Sequence, residues 1–142
     1  MANVIPFAFR GELFSGTHNF ASGGNQFKLA LYTSNPYDTS STVYVVTNEQ
    51  SSAGGSNYTA AGNDLGSNAV VSTTAVASCD FADSEWTSAT ISVAFGALYN
   101  ETASNKLCVV LDFSGTKTCT NGTFKVSFPS PSTAADAIIS MA

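Results

Sequence analysis

Ser88-Ala-Thr-Ile-Ser-Val-Ala-Phe-Gly-Ala-Leu-Tyr99, Leu107-Cys-Val-Val-Leu-Asp-Phe113 and Thr123-Phe-Lys-Val-Ser-Phe128 decide the fold class of this chain. In the first run Ile91, Val93, Phe95 and Ala97 alternate with Thr90, Ser92, Ala94 and Gly96. A period of two is the pattern of a strand with one buried face. The last run repeats it, with Phe124, Val126 and Phe128 inward and Thr123, Lys125 and Ser127 outward. The middle run is apolar on both faces except at Asp112, which predicts a central strand covered from both sides. Three strands are therefore expected, with Ser114 to Gly122 as a turn-rich link between the second and third.

Outward from this block, similar runs recur every ten or so residues. Phe27, Leu29 and Leu31 alternate with Lys28, Ala30 and Tyr32 in an expected strand from Gln26 to Thr33. Ser34-Asn-Pro-Tyr-Asp38 has turn composition. Thr42 to Asn48 is rich in β-branched residues and predicts a second strand, and Asn68 to Ala77 a third. Between them Glu49 to Gly66 holds only Tyr58 and Leu65 as large apolar residues, which predicts a long surface loop of functional or filler character. Arg10 to Phe14 predicts one or two helical turns ended at Gly16, too short to stand alone. Short strands with turn signals between them point to an all-β chain: a single-domain antiparallel β-sandwich, jelly-roll-like, with a short N-terminal helical or extended arm. The arm covers residues 1–25, the β core 26–129 and an apolar C-terminal strand or arm 130–142.

Composition bounds the function classes. Apolar residues make up 44% of the 142, enough for one core, while charged residues are only 11% against about 25% in an ordinary domain. Ser, Thr, Asn and Gly must then carry the surface. The net charge is −5 and the five basic residues are scattered, so no basic cluster exists to neutralise a row of phosphates and nucleic-acid binding is not expected. Met1 to Arg10 lacks the charged and apolar regions of an export signal, and no apolar run approaches the ~18 residues of a spanning helix. Asn57-Tyr-Thr59, Asn100-Glu-Thr102 and Asn121-Gly-Thr123 match the glycosylation pattern and are read as turns. Cys79, Cys108 and Cys119 cannot all pair within one chain and have no zinc spacing, so thiols are expected.

No catalytic motif stands out. His18 is the lone imidazole, no Gly-x-Ser-x-Gly elbow occurs, and a turn or docking role is expected for it. Asp80, Asp83 and Glu85 concentrate acid without a calcium-loop spacing and read as capping or solvating residues. No cofactor, metal or catalytic residue is assigned. Both ends carry apolar side chains that a lone domain has little reason to keep: Ile5, Phe7 and Phe9 at one, Ile138, Ile139 and Met141 at the other. With Tyr58 of the long loop, these are the candidate interface residues; the alternative is an edge strand at each end, paired within the monomer.

The ordered set Phe27-Lys-Leu-Ala-Leu-Tyr-Thr33, Asp80-Phe-Ala-Asp83 with Trp86, Gly96-Ala-Leu-Tyr-Asn100, Val109-Val-Leu-Asp-Phe113, Gly122-Thr-Phe-Lys-Val-Ser-Phe-Pro129 and Ala137-Ile-Ile139 resembles small virion structural proteins of tailed bacteriophages. Gly96-Ala-Leu-Tyr-Asn100 lacks an Ile usual in that strand, and Ile138-Ile-Ser-Met141 lacks the Arg of the usual tail. The resemblance implies a decoration or cement protein that binds the assembled head by non-covalent contacts. Its partners would be the major capsid protein and copies of itself, and its place the virion surface after synthesis in the host cytoplasm. A tail or fibre module touching the host surface is the structural alternative. A carbohydrate-binding sandwich is another, and would use exposed Tyr37, Tyr44, Tyr58 and Trp86.

Overall fold

The computed structural model describes residues 3–73, 75–129 and 137–141. Its spine is one long antiparallel hairpin of β5 (Ser84–Asn100) and β6 (Lys106–Val126). The turn between them places Ser104 and Asn105 in the left-handed region, with φ of 56° and 59°. β1 (Phe27–Tyr32) pairs with β5, and β2 (Asn63–Leu65) with β1, giving the order β2-β1-β5-β6. A smaller antiparallel sheet, in the order β3-β4-β7, contains β3 (Ala69–Ser72), β4 (Ala77–Asp80) and β7 (Ile139–Met141). The two sheets pack together, and one short helix, α1 (Phe7–Phe14), precedes them. The fold is an all-β antiparallel sandwich with a short N-terminal helix.

The expected break between the second and third strands is absent, for a definite reason. The run Ser114 to Gly122 stays in β6 because β5 offers a partner along its whole length, and the turn-forming residues become bulges. Ser114 and Gly115 have φ of 55° and 109°, and the register jumps there from Val93↔Lys117 to Phe95↔Asp112. The jump also corrects the expected inward face. Ile91 and Val93 point into the core between the sheets, whereas Phe95 and Ala97 join a second cluster on the other side of the large sheet. A further bulge between Leu98 and Tyr99 turns both Cys108 and Val109 into the main core, with Leu107 and Val110 opposite.

The second cluster is covered by chain rather than by sheet. Thr42 to Asn48 forms no regular strand; within it only the isolated bridge Val43↔Lys106 remains, with Tyr32↔Glu49 just after it. Hydroxyls hold the cover instead. Tyr32 and Tyr37 share a 2.6 Å hydrogen bond, and Tyr32 also donates to the Val45 carbonyl. Glu49 accepts from Tyr44 at 2.5 Å, from Tyr58 at 2.7 Å and from the Ala61 N–H at 2.8 Å. The expected free loop is thus a pinned cover, and it contains β2. Asn68 to Ala77 is likewise not one strand but β3 and the start of β4.

The close approach of this cover to β1 is set at Gly62. Its φ is +82°, and a Cβ there would stand 2.0 Å from the Leu29 carbonyl oxygen. Gly23 has a similar φ of +75° but nothing within 4 Å of its Cβ position. Gly23→Ala should therefore cost only about 1–2 kcal/mol for the left-handed backbone. Gly62→Ala should cost at least about 3 kcal/mol, because backbone must move as well. Urea denaturation of both variants checks this; equal costs would contradict the packing of the cover on β1.

Candidate interaction surface

The N-terminal helix begins three residues earlier than expected, at Phe7, and its ending at Gly16 is as read from the sequence: Gly16 has φ of +71° and donates to the Leu13 carbonyl. An eight-residue helix with no side-chain cap cannot persist alone. Three side chains on its inner face hold it. Phe9 is buried, its ring centroid 5.0 Å from that of His18 and 6.2 Å from that of Phe20, which in turn stacks on Phe27 at 4.5 Å. Leu13 packs on the same core. Glu12 is the third, with a side chain only 14% exposed.

Glu12 sits in a closed polar network. One carboxylate oxygen pairs with the Lys106 ammonium, and the other accepts from His18 Nε2 at 2.9 Å. His18 Nδ1 accepts from the Asn100 side-chain amide at 3.0 Å, so the imidazole proton lies on Nε2. The second Asn100 amide proton goes to Asn25 Oδ1 at 2.9 Å, while its own oxygen accepts from the Ala103 N–H. Burial works to raise the Glu12 pKa, but the bonds from Lys106 and His18 outweigh it and hold the carboxyl below its ordinary value. Asn100 is thus a fully buried network residue and not the turn residue its sequon suggested.

Cys108 Sγ lies 3.8 Å from His18 Nδ1, so a thiol and the Glu12 carboxylate flank the imidazole at its two different nitrogens. The set is not built for substrate. Cys108 and the His18 side chain are 0% exposed, and burial raises the Cys108 pKa well above its ordinary value, so the thiol keeps its proton. The three acidic residues around the β4–β5 connection, Asp80, Asp83 and Glu85, also have protein partners. Asp80 accepts from the Phe81 N–H, while Asp83 and Glu85 both pair with Lys125, at 2.9 and 3.2 Å. Among the described residues no three His, Cys, Asp or Glu side chains converge on one point that would hold a metal ion.

Docking α1 in this way leaves its other side bare, beside the end of the chain. β7 forms the edge of the small sheet; Ile139 is buried in the core, while Met141, two residues on, is exposed. Ile5, Leu13, Phe14 and Met141 border a hollow of about 350 Å³ between helix and strand. It adjoins a second hollow of about 150 Å³, where Leu13 and Met141 meet Val70. Phe14 is 94% exposed, Phe7 59%, Met141 58%, Val70 53% and Ile5 36%. Arg10 lines the first hollow and lies 5.4 Å over the Phe7 ring, which joins Phe7 to the patch.

The candidate interface residues therefore divide. Ile5, Phe7 and Met141 lie on this face, and Ile138 is half-buried against the core. Phe9, Tyr58 and Ile139 are buried, and of these Phe9 and Ile139 form part of the wall of the first hollow. Phe14 and Val70 were not among the candidates; only the docked helix shows which of its sides faces out. The aromatic platform of a carbohydrate-binding surface is also taken up: Tyr37, Tyr58 and Trp86 are buried and Tyr44 stacks on Tyr99 at 4.7 Å. No helix among the described residues is long and apolar enough to cross a membrane. Searches against protein-family models, curated proteins and solved structures found no match.

The Glu12 network makes a pH-dependent prediction. A carboxyl whose folded pKa is depressed contributes stability that is fully present above its ordinary value of 4.5 and is lost as pH falls through the lowered folded value. Glu12→Gln should thus be less stable than wild type at pH 7, and the gap should narrow as pH falls below 4.5. Thermal melts of both proteins from pH 7 to pH 3 test this; a gap of constant size would show that the charge is not what holds the helix.

Proposed function

We propose that this chain is a bacteriophage virion structural protein of the head-decoration kind, which holds to its assembly through the apolar face of α1 and β7. The observation that carries the reading is the union of both chain ends into one surface of Ile5, Phe7, Phe14, Met141 and Val70 around a single charged residue, Arg10. Scattered exposed apolar residues are ordinary, but a contiguous patch beside an open sheet edge marks a contact site. The surrounding sandwich supports it: tightly cross-linked cover loops and a closed imidazole network suit a rigid scaffold more than a catalyst. The sequence resemblance to virion proteins supplies the setting, and the weak charge of the whole surface agrees with a protein that packs against neighbours.

On this reading the face supplies binding energy by removing apolar area from water, and symmetry repeats that gain over many sites of the head. Phe14→Ser combined with Met141→Ser removes two large exposed groups without touching the core. Cosedimentation with empty heads should fall at least tenfold for the double variant, while its melting temperature stays within about 2 °C of wild type. Wild-type protein that ignores heads, or a variant that binds them equally well, overturns the proposal.

A further inference from the structure

The outward stripe of α1 has a property that the decoration reading does not require: it is complementary to itself. Phe7, Arg10, Gly11 and Phe14 are spaced three and four apart and so share one side of the helix. Glycine is a poor helix former, and nothing within the monomer calls for one at position 11. Its φ is negative and nothing stands within 4 Å of its Cβ position. What a bare glycine on an exposed helix does allow is close approach of another backbone.

We infer that the partner seated on this face is a second copy of the chain, with two α1 helices packed antiparallel across a two-fold axis. The inference rests on the reading of this face as the assembly surface. In an antiparallel pair centred between positions 10 and 11, each Phe14 meets Phe7 of the other copy. Each Arg10 then crosses the Gly11 of its partner, still lying over its own Phe7 ring. Such a contact is isologous: the same patch serves both copies, and every contact occurs twice. The bulky ends and the bare centre of the stripe match when one helix is reversed on the other. They do not match when the helices run parallel, which would set Phe14 against Phe14 and bring the two Arg10 charges face to face.

The area agrees. With aromatic side chains at roughly 200 Å² and aliphatic ones somewhat less, the exposed fractions of Phe14, Phe7, Met141, Val70 and Ile5 offer on the order of 500 Å² per copy. The pair would bury about 1,000 Å², the lower bound of a specific protein–protein interface. An interface of that size forms a pair that separates on dilution.

Sedimentation velocity on the full chain from about 1 to about 200 µM distinguishes these states. Wild type should pass from monomer to dimer within that range. Gly11→Gln adds a good helix former into open space, so it should leave the melt of the dilute protein unchanged or raised, yet shift dimerisation at least tenfold to higher concentration. Phe14→Ser should do the same. A wild type that stays monomeric at the highest concentration, a trimer or larger ring, or dimers untouched by both substitutions would overturn the inference. Head binding is read separately: a monomer that binds heads keeps the decoration reading and sinks the dimer, and a dimer that ignores heads does the reverse.

Discussion

The structure depends on one partly buried carboxylate. Glu12 is the point at which an eight-residue helix, too short to hold itself, is tied to the turn end of the long hairpin through Lys106 and, by way of His18, to Asn100. A charge withdrawn from water is costly unless its partners satisfy it, and here both oxygens are used. The network also settles what the lone histidine is for. Its two nitrogens are committed to Glu12 and Asn100, so His18 fixes the helix and the strand end in one geometry. Removing Phe9 would loosen the helix, but removing Glu12 would leave a lysine and an imidazole without their acceptor.

A second constraint follows from the length of the hairpin. β5 and β6 are long enough to serve two cores, and bulges decide which residues serve which. The jump at Ser114 and Gly115 sends Phe95 to the far side of the sheet, where the tyrosine-rich cover needs an apolar floor. The bulge at Cys108 keeps Val109 in the main core alongside Leu98. With both sheet faces of the hairpin occupied, the apolar side chains left over gather where the chain ends meet. The exposed patch accordingly lies on α1 and along the small sheet at Val70 and Met141, away from the hairpin.

Much of this was legible in the sequence, and the failures have physical causes. Period-two alternation at Ile91 and Val93, at Phe27, Leu29 and Leu31, and at Phe124 located the strands and most of the main core. It could not reveal bulges, because a bulge is chosen by the partner strand and leaves only Ser, Gly or Asn as a trace. Ser114-Gly115 and Asn121-Gly122 therefore read as turns that end a strand. Thr42 to Asn48 looked like a strand from its β-branched residues, yet its place was decided by hydroxyl bonds from Tyr32 and Tyr37. The apolar ends were recognised as unusual, but their division into inner and outer residues depends on how α1 docks. No local pattern distinguishes Phe9, inside, from Phe14, outside, until Glu12 is seen to face Lys106 and His18.

The central claim is that α1 is a rigid part of the sandwich, so that its outer side is a preformed surface. Native-state hydrogen exchange at Ser15 and Thr17 measures this most directly, because their amides donate to the carbonyls of Gly11 and Glu12. A docked helix predicts that these amides open only with a free energy close to that of the β5–β6 hairpin. Exchange at Ser15 and Thr17 near the rate of an unstructured peptide, with the hairpin amides still protected, would contradict it.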